Sequence, residues 1–453
     1  MIVLFTSILC SCTTSKFYDL IIKNAKIIDV KSGVILPNKT IIIENGLIKD
    51  ITTDIANRKA KEVLDAEGKL LSPGLIDTHI HPTDVFGDYA EAPKFLPTDS
   101  LTFLRKKLSE QYLLYGTTTV MTMGQPENWL KPLLNWQLNT SNENVDFYVA
   151  GGALISKDNR TPYIAHTELT SSEIARNKIL EYHQLGIKHI KLYFRLKEPE
   201  FSTIYKLADS LKIKMYGHIG DFSQEYLTMN ETLKIGLINY EHFATIPNSI
   251  ITSDNDWNLL NKQFTENYGE LNTEARMLAF FLEQFRFISE HKQNEMQTFI
   301  NYLATKKVTF STTIHRIYEQ IASTTYWKPR DKTATPKQQE RSKENFGIMM
   351  KYAKQMHDKG IEIRLGSDMQ NGGKVNISEL IILSKYGFNA SEIFKIATYN
   401  GAKALGIEGE VGSIEIGKKA NLIIWDKNPF EDCKNFGEKI TVFKNGNKII
   451  PSK

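Results

Sequence analysis

The stretch Leu71-Ser72-Pro73-Gly74-Leu75-Ile76-Asp77-Thr78-His79-Ile80-His81-Pro82 decides how the chain is read. It is an apolar run that ends in two histidines spaced i and i+2. Side chains alternate along a strand, so His79 and His81 share one side. Pro73 and Gly74 open the run, Leu75 and Ile76 are residues of a buried strand, and Pro82 stops it directly after His81. The pair therefore ends a strand, and in parallel barrels the C-terminal strand ends carry the chemistry. Imidazole is a common ligand of borderline cations such as zinc, so two rings on one face make half of a metal site.

The 453 residues are 41% hydrophobic, 24% charged and 10% aromatic. That is a folded globular composition, long enough for a large domain and a small one. With 56 basic and 52 acidic residues the formal charge is only +4, and no basic block is interleaved with aromatics, so there is no nucleic-acid signal. The three cysteines, Cys10, Cys12 and Cys433, exclude a disulfide framework.

Residues 1–16 read as a leader. Met1 to Cys12 is apolar and ends Leu9-Cys10-Ser11-Cys12, which resembles a bacterial lipoprotein cleavage box with Cys12 as the lipidated residue, although no basic residue precedes Lys16. The expectation is an exported protein, periplasmic or anchored to a membrane by lipid without a spanning helix; without the leader the chain would be cytoplasmic. No other stretch reaches the length of a membrane span.

Both ends use the same strand-and-turn language. Residues 18–51 hold short apolar strands punctuated by Asn45-Gly46, and residues 421–446 hold Asn421-Leu-Ile-Ile-Trp, Ile440-Thr-Val-Phe-Lys and Asn445-Gly446. Asn-Gly between such runs signals a hairpin. The two termini, 17–70 and 406–453, are expected to form one small β-sandwich around an insertion of 71–405.

Inside the insertion, strands and helices alternate. Strands are expected at 117–123, 145–150, 188–193, 213–217, 237–242, 308–312 and 361–365. Helices are expected at 100–114, 128–138, 171–184, 202–211, 223–233, 276–287, 294–305, 341–358, 377–385 and 391–405, with Ser171 or Ser172 capping the third. With the His79 strand this makes eight βα units, the pattern of an α/β (β/α)8 TIM barrel.

The other half of the site falls at the ends of these strands. His189, Lys191 and Tyr193 share a face, which turns Lys191 toward the barrel interior. A buried ammonium must be paired, deprotonated or modified, since it has no lone pair for a metal. The fifth strand ends in Gly217-His218, the sixth in Glu241-His242 and the eighth in Gly366-Ser367-Asp368. Four histidines, a lysine and an aspartate converge at one end, a set that chance explains poorly.

These residues, with Gly116-Thr-Thr-Thr-Val, Ala397-Thr-Tyr-Asn-Gly-Ala-Lys-Ala-Leu-Gly and the closing run from Val411 to Asp426, resemble the amidohydrolase superfamily over nearly the whole chain, and within it most of all the imidazolonepropionase-related and prolidase-like branches. One departure is Asn421, where that family usually carries aspartate. The resemblance implies a binuclear metal-dependent hydrolase of C–N bonds other than standard peptide bonds. Its cofactors would be two divalent ions, zinc first with manganese, iron or cobalt as alternatives, and CO2 held as a carbamate on Lys191 between the metals. His79, His81 and Asp368 would hold one ion and His218 and His242 the other. A metal-bridged hydroxide would attack the amide, with Asp368 as general base and then acid.

The expected partner is a small molecule: an N-acyl amino acid, a dipeptide or a cyclic amide. A homo-oligomer is compatible with the sequence. Loops after the strands supply the substrate candidates Tyr193, Arg195, Arg160 and His315, the arginines as clamps for a carboxylate. Two other readings stand beside this one: a mononuclear deaminase of the same fold, and a non-catalytic scaffold that kept the barrel.

Overall fold

The computed structural model describes residues 17–54, 58–86, 98–157, 166–220, 225–318 and 333–450. The leader with Cys12, and the substrate candidate Arg160, lie outside these residues.

Strands from both ends of the chain share one eight-stranded sheet. Its order runs Asn447–Lys448, Ile440–Lys444, Leu422–Trp425, Leu70–Pro73, Phe17–Asp29, Val34–Glu44 and Leu47–Thr52, with Lys59–Asp65 paired to Phe17–Asp29 off this path. All eight strands of the terminal β-module are thus linked by hydrogen bonds into one sheet. The reason lies in Phe17–Asp29, whose thirteen residues pair first with Lys59–Asp65 and then with Leu70 and Leu71. Register shifts around Ala25 against Val34–Glu44 mark the bulges that curve such a strand. A separate core of Leu20, Ile22, Ile41, Ile43, Leu71, Leu422, Ile424 and Phe443 fills this module. Both Asn-Gly turns have positive φ at each residue, 53° and 75° at Asn45 and Gly46 and 47° and 73° at Asn445 and Gly446, as a two-residue hairpin turn demands.

The strands between are parallel. Leu75–Ile80, Thr117–Thr122 and Asp146–Tyr148 form one sheet. His166–Leu169, Ala150–Ser156, His189–Leu192, Lys214–Gly217, Asn239–Glu241, Thr309–Ser311 and Glu362–Arg364 form another in that order. Only Val149 separates Asp146–Tyr148 from Ala150–Ser156, so one run of chain serves both sheets. At the opposite margin the Thr78 N–H donates to the Leu365 carbonyl, and the Asp368 N–H to the His79 carbonyl, each at 2.9 Å.

The elements follow the sequence with instructive differences. Beyond the strand expected at 145–150, the chain forms two strands with no counterpart in the sequence pattern, Ala150–Ser156 and His166–Leu169. The helix expected over 223–233 is Met229–Ile235, which starts late because Thr228 and Glu231 form a reciprocal capping box. The one expected at 341–358 begins earlier, at Pro336, behind the capping box of Thr335 and Gln338. Ser171, rather than Ser172, caps Ser172–Gln184. The helix Asp254–Tyr268 was not foreseen, and the run 391–405 is two helices broken at Thr398.

Candidate metal centre

His79, His81 and Asp368 offer ligand atoms that all lie within 4.8 Å of one another. The strand Leu75–Ile80 brings both histidines to one end, and the last parallel strand, Glu362–Arg364, leads into Gly366-Ser367-Asp368 beside them. Gly366 permits this approach: a Cβ there would meet the His79 Cβ at 2.8 Å. Asp77 ties the two segments together by accepting the backbone N–H of His79 at 3.0 Å and of Ser367 at 3.1 Å, with the Asn376 side-chain amide at 3.0 Å. Burial pushes its carboxyl up to about 7.

The imidazoles face the aspartate through one kind of nitrogen. Nε2 of His81 is 3.1 Å from Asp368 Oδ1, Nε2 of His79 is 3.5 Å from the same oxygen, and Nε2 of His242 is 3.9 Å from Oδ2. In each ring Nδ1 is occupied by another oxygen: Glu241 Oε2 for His79 at 2.6 Å, the Gly124 carbonyl for His81 at 3.1 Å, and Thr313 Oγ1 for His242 at 2.6 Å. Fixing Nδ1 is how metal-binding histidines are oriented.

His242 reaches the cluster against the strand's alternation. Tyr240 turns outward, where its hydroxyl donates to the Met229 and Leu237 carbonyls, and Glu241 turns inward to His79. Strict alternation would send His242 outward again. A φ of 67° swings it back, and Thr313 and Asp368 likewise sit at 45° and 49°. Positive φ in such residues is strained, costing on the order of 1–3 kcal/mol each, and collects at functional sites.

His218 packs against His242 with ring centroids 4.3 Å apart. Lys191 is 1% exposed, and its charge acts on His79, His242 and Glu241. Burial first, then Lys191, brings His79 down to about 4; burial and the neighbouring rings of His218 and His79 hold His242 well below its ordinary value. His79 and His242 are therefore neutral at pH 7, the form that binds a cation, whereas at His81 burial is outweighed by the neighbouring Asp368, which raises the ring's pKa. Burial alone would raise Asp368, but His79, His81, His242 and Arg316 outweigh it and keep the carboxyl well below its usual range. Neutral imidazole nitrogens around an ionised carboxylate are a donor set suited to zinc or a similar ion.

The substrate candidates fall differently. The Tyr193 ring is buried 5.0 Å from His218 and 5.0 Å from His166, which makes an aromatic wall beside the cluster. Arg195 stacks over Phe194 at 5.0 Å, and Phe194 lies 5.8 Å from His218, so this arginine is one ring further back. His315 is fully buried, with Nδ1 at 3.0 Å from Ser378 Oγ and its backbone N–H donated to Glu379 Oε1 at 2.5 Å. These bonds tie the segment carrying Thr313 and Arg316 to the helix Gly372–Lys385.

Sequence reading passed over four residues. Glu241 stands directly before His242, yet its role shows only in the bond to His79. Thr313 gave no signal because its strained backbone is what aims it. Arg316 Nη1 approaches Asp368 Oδ2 at 3.7 Å while Nη2 donates to Glu274 Oε1 at 3.0 Å. Asp84, three residues after His81, faces His81, Asp368 and Arg316, and burial lifts its carboxyl to about 6. The spacing from His81 was the available clue to Asp84.

The sequence profile of the Amidohydrolase family matches residues 266–449. A dihydroorotase of Trichlorobacter lovleyi is 38% identical over 73 residues, 16% of this chain and 17% of its own length. An imidazolonepropionase of Brevibacillus brevis is 31% identical over 104 residues, 21% of this chain and 24% of its own. The chain thus matches less than a quarter of the length of either relative. Similarity of fold extends much further: the crystal structure of a Xaa-Pro dipeptidase with bound methionine in the active site superposes with a TM-score of 0.62 at 18% identity, covering 95% of this chain and 100% of the other. The profile match over 266–449 and these partial relatives make the chain similar to the amidohydrolases, and the strand-end histidines gathered around Asp368 are consistent with that likeness.

Proposed function

We propose that this protein is a metal-dependent hydrolase acting on an amide or related C–N bond of a small substrate. One observation carries the reading: three imidazoles, each held at Nδ1, turn Nε2 toward one carboxylate. The same reading closes the parallel strands into one (β/α)8 barrel over 71–405 and makes 17–70 with 406–453 its companion domain.

His79, His81 and Asp368 would hold one divalent ion, zinc first among the candidates, and His218 and His242 a second. Lys191 would join the two sites as a carbamate, formed when its deprotonated amine adds to CO2 and releases a proton; this exchanges a buried cation for a bridging anion. A cation bound there supplies Lewis acidity, lowering the pKa of water and polarising a carbonyl. Asp368 is ionised and faces the centre, so it can take a proton from the attacking water and return it to the departing nitrogen. Arg316 sits beside the same carboxylate and offsets negative charge developing near it. Tyr193, Phe194 and His166 form a wall against which an apolar substrate group packs.

The test is a hydrolysis screen over dipeptides, N-acyl amino acids and cyclic amides with zinc- or manganese-reconstituted protein, using Asp368→Asn as the control. Turnover of one class, lost in the variant, supports the reading; a variant as fast as the parent overturns the role of Asp368. A single-ion centre of the deaminase type is the second reading, favoured by the tight grouping of His79, His81 and Asp368 alone within 4.8 Å among the described residues. Elemental analysis decides between them: two ions per chain for the first, one for the second.

A further inference from the structure

The three oriented imidazoles differ in the charge of what holds them. His81 faces a backbone carbonyl and His242 a threonine hydroxyl, both neutral, whereas His79 faces the carboxylate of Glu241 at 2.6 Å. A carboxylate accepts, so the proton between them lies on Nδ1 of His79, an assignment made from the partner oxygen. That leaves the Nε2 lone pair directed at the cluster. Glu241 and His79 are 0% and 1% exposed, so this contact is not screened by water.

The carboxylate is itself fixed. Ser311 Oγ donates to Oε2 at 2.5 Å, and the Arg364 guanidinium binds Oε1. Arg364 is 1% exposed and is held in turn by Thr309 Oγ1 at 2.5 Å, the Tyr240 carbonyl at 3.2 Å and the Tyr216 ring at 5.4 Å. Side chains from four parallel strands thus spend a buried ion pair on one imidazole. Such a pair is weak evidence for stability, since apolar residues in its place are often as stable. Its cost points to a role at the centre.

We propose that Glu241 is a positioning residue of the metal centre: it fixes the His79 tautomer and, by its charge, makes Nε2 of His79 the strongest histidine donor of the three, so that the His79 position binds its ion most tightly. This rests on the metal-dependent reading above. A carboxylate behind a ligating histidine raises ligand basicity, and losing such a partner typically weakens metal binding about 10–100-fold.

The experiment uses metal-free full-length protein, titrated with Zn(II) against a chromophoric chelator and with Co(II) followed by visible absorption. In Glu241→Gln the charge is gone and the shape kept; with the amide oxygen toward His79 and Ser311, the amide NH2 faces Arg364 and that bond is lost as well. The expected result is zinc binding weakened about 10–100-fold with a changed Co(II) spectrum. Thermal unfolding of the metal-free forms separates a structural role, which would lower stability and leave the spectrum unmoved. A folded Glu241→Gln with parental zinc affinity and Co(II) spectrum overturns the proposal. If that variant fails to fold, Ser311→Ala decides: it removes one donor to the carboxylate and keeps Arg364, and unchanged zinc affinity and spectrum would overturn the role equally. A parent that binds neither Zn(II) nor Co(II) would instead overturn the metal-dependent reading itself.

Discussion

The sheet of the termini and the mouth of the parallel strands handle the same backbone problem with opposite means. Both need residues at positive φ. The sheet mostly places asparagine there, at Asn24, Asn38, Asn45 and Asn445, whose short polar side chains tolerate the left-handed region, with Glu67 the exception. The mouth places His242, Thr313 and Asp368 there, where the side chain is wanted for its chemistry and the backbone must yield. The sheet thus meets the need mostly with asparagine, whereas the mouth accepts even the β-branched Thr313 where a donor atom must be aimed. The polar groups divide in the same way. Lys444, fully buried, donates to Asp146 at 2.9 Å and joins the sheet to the parallel strands, while the ion pair of Glu241 and Arg364 backs a candidate ligand.

If that division is right, substitutions in the two regions should separate activity from stability. The largest effect is expected for Asp368→Asn: hydrolysis slowed about 10²–10⁴-fold, the usual share of a general acid–base group, with any loss of stability confined to the carboxylate's contacts with Arg316 and the imidazoles, because Asn also accepts positive φ. Steady-state kinetics with calorimetry checks both halves; a large loss of stability would erase the contrast. Lys444→Met is the mirror experiment. It leaves Asp146 buried without its closest cation and should cost about 3–5 kcal/mol in denaturant unfolding, with turnover per folded molecule at the parental level.

A smaller effect sharpens the electrostatics. Glu379 is fully buried, and burial raises its carboxyl from 4.5 to about 8. The folded state therefore keeps a proton that the unfolded chain releases, so this group makes stability fall as pH rises from about 4.5 to about 8. In Glu379→Gln that part of the slope should vanish, read from urea midpoints at pH 5, 6, 7 and 8. An unaltered slope would show that Glu379 ionises as it does in the unfolded chain. Least of all is expected from Asn445→Gly, which keeps a residue suited to positive φ: a change within about 0.5 kcal/mol and no effect on turnover.

Much of the site was legible because ligand types stand at strand ends, and strand ends can be read from apolar runs and their breakers. His79, His81, His218, His242, Lys191 and Asp368 were read as candidates in this way, and His79, His81, His242 and Asp368 meet in the structure. The supporting residues were not, because nothing local marks them. Glu241 and Arg364 lie 123 positions apart and meet only once parallel strands stand side by side. Arg316 was overshadowed by its neighbour His315, which turned out to anchor a helix. The same limit shows in the fold, where local pattern gave the terminal strands but not their joining in one sheet.

The sequence by itself determined the alternation of strand and helix, the Asn-Gly turns and the residue types offered at each strand end, since these depend on side-chain period and local backbone preference. Only the tertiary structure decided which nitrogen of each imidazole faces Asp368, and that His242 turns inward. Those outcomes depend on oxygens from distant segments and on a backbone angle that packing, rather than local preference, imposes.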